Sequence, residues 1–431
     1  MRHSCTNERI QSDNRHCTSK LICELVLSTL RANLSLSIAQ VQAMVKDMYH
    51  VDVGYTKAWK GKNKALKRIF GSWEQSYAEL RMYFTALTIS NPGTIIDFDS
   101  EWGPGWERLK RVFWSFGPSI IGFNSCHPVL SVDGTFLHGK YKGTLLMATG
   151  EDAEDHIFPY AFAIDEGENR ESWLWFLHNV YKTLDPTRPI CIISDRFRGN
   201  VNVVRDAFPP QYGHVHRYYL RHLTDNFLQL CKSKSDADLF WRASTVVSAQ
   251  KFEELKNILT ERYPMFVDFS SSIGPREMWT MVHDNGRRCG RHNTNLSESF
   301  NSVLKGARGL PVRALVSSTF HCTMMYFFKN CERGLAMNQT LTKKQEARMH
   351  DGIEKGRYLS VRRFNDNEFQ VTKCVNEDTI DYKVVLNGIH STCTCRFMVA
   401  RRFPCIHVLK VCNATNANIN PYVLCPPWYI L

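Results

Sequence analysis

The 431-residue sequence contains no uninterrupted apolar run near the ~18 to 20 residues that a membrane-spanning helix requires. Its opening stretch, MRHSCTNERIQSDNRHC, is polar throughout and lacks the apolar segment of a secretory signal. Internal repeats and low-complexity tracts are also missing, which excludes solenoids and collagen-like or disordered chains. Acidic excess is absent. Lys and Arg outnumber Asp and Glu by 54 to 42, a net charge of +12 that favours a polyanionic partner, with a solvated basic face as the plain alternative. These absences lead to an expectation of no membrane partner and an intracellular, reducing compartment. There, 15 cysteines at irregular spacing read as small core residues, and a close Cys/His group reads as a metal site before a disulfide. What is present, 43% hydrophobic and 12% aromatic residues over this length, describes a folded chain of two or three domains.

Residues 1–20 read as a loose polar beginning. From 21 to 90 the period is helical: Leu21, Ile22, Leu25 and Val26 share one face, and Ser37 caps a run of Ile38, Val41, Met44, Val45 and Met48. A third segment, TKAWKGKNKALKRIFG, sets Lys57, Lys60, Lys62, Lys64, Lys67 and Arg68 beside Trp59, Leu66, Ile69 and Phe70. Two readings stand for it, a helix-turn-helix reader of DNA and a solvated lysine-rich face. Asn91 to about Gly105 reads as a linker, and about Glu107 to Phe116 as a helix. PVLSVDGTFLHG, from Pro128 to Gly139, is a strand with Asp133 at its centre, where a carboxylate calls for a cation, a partner or an exposed end. An Asp-Gly turn between two strands is the rival. Apolar runs at 144–152 and 156–165 continue a meander, RESWLWFLHNVYKTL is a helix, and PICIISD is a buried strand ending on Asp195, so the layout is α/β. A helix follows from about Gly199 to Phe208, and residues 214–285 are largely helical. NLSESFNSVLKGARG carries Glu298 in a first helical turn, and YLSVRRF, FQVTKCV and DYKVVL form a small antiparallel sheet.

The strongest local signal is C-x-C-x₉-C-x-H, formed by Cys393, Cys395, Cys405 and His407. Four soft ligands in so short a window fit a closed, structural zinc site with no open position for substrate. Arg396, Arg401, Arg402 and Lys410 would surround it with a basic surface suited to phosphate. Asp133, Asp195 and Glu298 form a second set, able to hold two divalent cations for in-line phosphoryl displacement if they converge. The plain alternatives are that Asp195 simply ends a strand and that Asn295-x-x-Glu298, with capping-box spacing, only caps a helix.

SVDGTFLHGKYKGTLL, ESWLWFL, ISDRFRGN, HVHRYYLRHL, NTNLSESFNSVLKGARGLP and CTCRFMVARRFPCIH occur in that order over about residues 21–425. The sequence thereby resembles the Mutator-like (MULE) transposases of plant genomes and their far-red-impaired-response-type relatives. The resemblance implies a ribonuclease H-like core over 106–320 with a helical insertion at about 214–285. It also implies catalytic acids at Asp133, Asp195 and Glu298 binding Mg²⁺ or Mn²⁺, a supporting His222, and a SWIM-type zinc module over 355–425. DNA contacts would fall on Lys57, Lys60, Lys64, Lys67 and Arg68 in the helical region 21–90. Terminal inverted repeats would be the DNA partner, the nucleus the location, and a homo-oligomer a compatible assembly. The sequence departs from the family pattern where Tyr219 stands in the expected position of a Cys, and where His3-Ser-Cys5 keeps only the last part of an N-terminal zinc module within 1–20. An active transposase and a non-catalytic nuclear DNA-binding regulator therefore both remain open, with a plain ribonuclease behind them.

Overall fold

The computed structural model describes the chain apart from residues 1–10, 13, 14, 35, 197–201, 292–294, 377, 415–418 and 431; for 11, 12, 210 and 295–298 it describes the backbone alone. His3 and Cys5 lie outside the described residues. The chain forms two compact units, one from 1–92, 135–145 and 300–324, the other from 93–134, 146–299 and 325–431.

The first unit is led by helices Ser19–Ala32, Ile38–Tyr49, Tyr55–Phe70, Trp73–Ala78 and Leu80–Ser90. Their starts follow from capping chemistry. Thr18 accepts from the Leu21 amide, and Ser37 and Gln40 close a capping box at 3.1 and 2.7 Å. The Tyr55–Phe70 helix buries Ala58, Gly61, Ala65 and Leu66, the apolar face expected of it, and packs on the Ser19–Ala32 helix. Lys60, Lys64, Lys67 and Arg68 are exposed and Lys57 is half-buried.

The second unit is built on a seven-stranded mixed sheet: β1 (Ile95–Gly103), β2 (Trp106–Ser115), β3 (Val129–Phe136), β4 (Thr144–Glu151), β5 (Ile157–Asp165), β6 (Cys191–Ser194) and β7 (Val215–Tyr218). Their order is β1-β2-β5-β4-β3-β6-β7. β3, β4 and β5 are neighbours in sequence order, while β6 runs parallel to both β3 and β7. The expected linker at 91–105 and helix at 107–116 are corrected here, since both stretches lie in the antiparallel β1–β2 hairpin. Val112, Phe113 and Trp114 pair with Ile164, Ala163 and Phe162 of β5. They are buried whichever face they point to, so the run suits a strand covered on both sides, and Gly105 at φ +77° makes the turn. The Arg170–Thr183 helix buries Trp173, Phe176, Leu177 and Val180 against Leu130, Val132, Leu146 and Ile192 of the sheet. The helix expected from about Gly199 is described only over Val203–Ala207.

After β7 come helices Leu220–Cys231, Lys234–Thr245, Ala249–Arg262 and Phe266–Ile273, which share a core of Phe227, Phe240, Phe252, Phe266, Phe269 and Trp279. Further on, strands Ser360–Arg363, Glu368–Val375, Asp378–Val385 and Thr392–Cys393 make a small antiparallel sheet, followed by helices Phe397–Arg401 and Ile406–Ala414. Phe369, Val371, Val384, Met398, Val408 and Val411 fill its core. Among the described residues no helix is long and apolar enough to cross a membrane.

Candidate functional site

Parallel pairing of β3 with β6 aligns Ser131 with Ile193, and Asp133 and Asp195 each lie two positions further along. The two carboxylates therefore reach the same level at one end of adjacent strands. Together with Glu168, Val132, Trp173, Leu177, Ser194, Val203 and Val204 they line one cleft. Asp133 is not in a turn, because β3 continues through Gly134 to Phe136. Its Oδ1 accepts from the Gly134 amide at 2.9 Å. Burial, then the nearby charge of Asp195, pushes the Asp133 carboxyl up to about 6.

His222, in the first turn of the Leu220–Cys231 helix, bonds through Nδ1 to Oδ1 of Asp195. Tyr219 sits just before that helix with its hydroxyl donating to the Val132 carbonyl at 3.3 Å, and its ring meets His222 edge-on at 5.5 Å. On the far side of β6, Ser194 Oγ lies 2.9 Å from Nε2 of His216, whose pKa burial lowers to about 3. That imidazole is neutral at pH 7 and adds no charge beside Asp195.

Sequence reasoning missed Glu168. It follows β5 and precedes the Arg170–Thr183 helix, and its carboxyl lies over Gly134, where an added Cβ would stand 3.2 Å from Glu168 Cδ. Burial raises its pKa, and Asp195 adds to the effect. The signal was the acid-rich Asp165-Glu-Gly-Glu168 run at the end of the third meander strand, which the strand order carries towards Asp133. Glu298 lies on the Asn295–Val303 helix, and its side chain is outside the described residues.

Cys393, Cys395, Cys405 and His407 do come together, with one ligand atom of each within 4.8 Å of the others. Nδ1 of His407 is 3.5 Å from the sulfur of Cys393 and 3.9 Å from that of Cys405. The ring stacks on Tyr382 at 3.8 Å between centroids, which fixes the nitrogen facing the thiols. Hydrogen bonds from Cys393 and Cys405 pull the Cys395 thiol well below its ordinary pKa, and the same contacts push the other two up. Three thiols and an imidazole nitrogen at this spacing suit tetrahedral zinc.

The basic rim expected around this cluster is largely engaged within the protein. Arg401 Nη1 donates to the Gly290 carbonyl at 3.2 Å, Arg402 to the carbonyls of Gly286 and Asn285 at 3.4 and 3.3 Å, and Lys410 to that of Arg357 at 3.3 Å. At Gly286, with φ +72°, an added Cβ would lie 1.9 Å from the Val399 carbonyl oxygen, so the loop and the zinc segment touch backbone to backbone. The same loop holds Asp284, fully buried, whose Oδ1 accepts from Arg217 Nε of β7 at 2.7 Å.

Two parts of the chain match known domains. Residues 129–226 match the MULE transposase domain, and residues 382–416 match the SWIM zinc finger. Protein FAR1-RELATED SEQUENCE 6 of Arabidopsis thaliana is 24% identical over 148 residues, which span 34% of this chain and 20% of that protein.

Proposed function

From a chain that carries a MULE transposase domain and a SWIM zinc finger, we propose a transposase-derived, DNA-binding nuclear protein whose β3–β6 cleft is the ancestral DNA cleavage and strand-transfer site. The observation that carries this reading is the level placement of Asp133 and Asp195 on neighbouring parallel strands, facing one cleft. The order β5-β4-β3-β6-β7, a three-strand meander extended by two parallel strands, supports a ribonuclease H-like core. Zinc at Cys393, Cys395, Cys405 and His407 is structural in this reading.

In the cleft, Asp133 and Asp195, with Glu298 as the third acid of the family pattern, are the residues that would hold Mg²⁺ or Mn²⁺. Such ions, when bound, would supply activation of water or a 3′-OH and stabilisation of the phosphorane-like charge. The chain's own part is to orient. His222 holds the Asp195 carboxylate, the Gly134 amide holds that of Asp133, and Trp173, Leu177 and Val203 form an apolar wall that limits water. DNA, including terminal inverted repeats, would be held by Lys57, Lys60, Lys64, Lys67 and Arg68.

Mg²⁺ or Mn²⁺ should raise the melting temperature of the wild-type chain, and Asp133→Asn or Asp195→Asn should each abolish that rise together with any nicking of a terminal-repeat duplex. Cleavage that survives both substitutions would refute the site. The second reading is a regulator that keeps the cleft and the zinc without turnover, and Tyr219 in the family's Cys position favours it. Metal-dependent stabilisation with no cleavage on any terminal repeat is its expected signature.

A further inference from the structure

We propose that the cavity beside the β4–β5 turn is a binding site for a small aromatic carboxylate. It holds about 740 Å³, in the range of sites that bury a small organic molecule, and it shares no lining residue with the Asp133–Asp195 cleft. Its walls belong to the second unit alone. They are the turn at 152–156, the end of the Val312–Leu335 helix, the start of the Lys343–Gly356 helix and the segment around Trp428.

One side of the cavity is aromatic and closely packed. Phe158 is 2% exposed and meets Tyr326 and Phe327 edge-on with centroids 5.4 and 5.7 Å away, while those two rings meet each other at 5.5 Å. Gly122 lets the trio close up, since an added Cβ would stand 3.1 Å from the Phe158 ring and 3.2 Å from that of Phe327. Met337 and Ile430 extend the apolar lining. Such a surface suits a flat ring.

The polar side has a definite sense. Its carboxylates are engaged within the protein: Asp152 Oδ1 accepts from the amides of Glu154 and His156 at 2.9 and 2.8 Å, its Oδ2 from the Tyr326 hydroxyl at 2.7 Å, and Glu154 Oε1 from the Lys344 amide at 2.8 Å. What stays open can donate. The indole Nε1 of Trp428, a donor only, is buried without a hydrogen bond, and so is the hydroxyl of Thr342, a residue 7% exposed. Thr342 is the N-cap of the 14-residue Lys343–Gly356 helix, yet its side chain makes no capping bond. The positive end of that helix therefore lies at the cavity, where Lys343 and Arg333 add charge of the same sign. Arg333 is braced there, with Nη1 donating to Asn330 Oδ1 at 3.3 Å and to His156 Nε2 at 3.4 Å. A buried donor without an acceptor is costly, and a carboxylate brings two acceptor oxygens with the charge that the helix end and both cations favour. A ring against the aromatic side and a carboxylate against the donors satisfy both.

The test is calorimetric titration of the full chain with naphthoate and with its uncharged counterpart naphthamide, together with cysteine alkylation mapped by mass spectrometry. Cys331 is exposed and lines the cavity, and Cys374 is exposed on the small sheet, so the second thiol is an internal control. Naphthoate should bind, slow the alkylation of Cys331 and leave Cys374 unchanged, while naphthamide should bind at least about 10-fold more weakly, as expected for loss of a charge-assisted hydrogen bond. Trp428→Phe, which keeps a ring and removes the donor, and Thr342→Val should each weaken naphthoate binding at least about 5-fold. Wild-type affinity in both variants would overturn the proposal. So would no binding by the wild-type chain, equal binding of acid and amide, or binding that leaves Cys331 as reactive as before, and these outcomes decide the matter even if neither variant folds.

Discussion

Tyr219 donates its phenolic hydrogen to the carbonyl of Val132 across 3.3 Å, one residue before Asp133 and three before His222. The family pattern has a cysteine here, yet the tyrosine is fully buried and links the strand of one site residue to the helix of the other. Tyr219→Phe should cost about 1 kcal/mol, the value of one buried hydrogen bond. Tyr219→Ala should cost about 3 to 5 kcal/mol, by analogy with other large aromatic truncations. Chemical denaturation measures both. If Tyr219→Cys kept full stability, the tyrosine would be a neutral replacement.

The zinc site has a direct check. Elemental analysis should find one zinc per chain, and Cys405→Ser should lose it and lower the melting temperature. The thiols must be deprotonated to bind, so zinc affinity should fall as pH drops, and a chelator should act faster in acid. Full zinc content in Cys405→Ser would reject the assignment.

Asp133 gives a pH dependence with a definite sign. Its folded-state value of about 6 exceeds the ordinary Asp value of 3.8, so the native state holds the proton more tightly than the unfolded chain. Its contribution is present in full below the ordinary value and is lost as pH rises through about 6, an effect of at most about 3 kcal/mol. Metal-free wild-type protein should therefore lose more stability between those two pH values than Asp133→Asn does. Parallel pH profiles would remove Asp133 from the account.

Lys60, Lys64 and Lys67 test the proposal that the first unit has a DNA-binding face. Each phosphate contact contributes about −0.9 to the slope of log K against log salt on duplex DNA. Changing all three to Ala should weaken binding and flatten the slope. Two neighbours already have protein partners, since Lys64 Nζ donates to Ser19 Oγ at 2.8 Å and Arg68 pairs with Glu24. Lys60→Ala and Lys67→Ala should therefore account for more of the loss than Lys64→Ala. Unchanged affinity in the triple variant would leave a solvated face.

What could be read in advance was what depends on near neighbours. Thr18 and Ser37 cap helices through residues three positions on, and the zinc ligands sit within one short window, so spacing alone reveals both. The β1–β2 hairpin was misread because Trp106, Leu109, Val112 and Phe113 also fit a helical period, and only pairing with β5 decides between the two. Glu168 was hidden for a related reason. Its approach to Asp133 follows from strand order, which no local pattern encodes. Arg401 and Arg402 looked like phosphate ligands because the carbonyls they bind lie more than 100 positions earlier, at 111 residues for Gly290.

That separation also sets an order of events. Synthesis delivers the amino-terminal side first, so the loop with Asn285, Gly286 and Gly290 leaves the ribosome well before Arg401 and Arg402 can reach its carbonyls. Until then water must solvate those oxygens, which follow the buried Asp284 in the same loop. A nascent chain arrested before Arg401 would carry a loop next to β7 that stays open to proteases, whereas release of the zinc segment would close it. The arginines that looked like an outward-facing surface thus make synthesis of the zinc segment a condition for closing this loop.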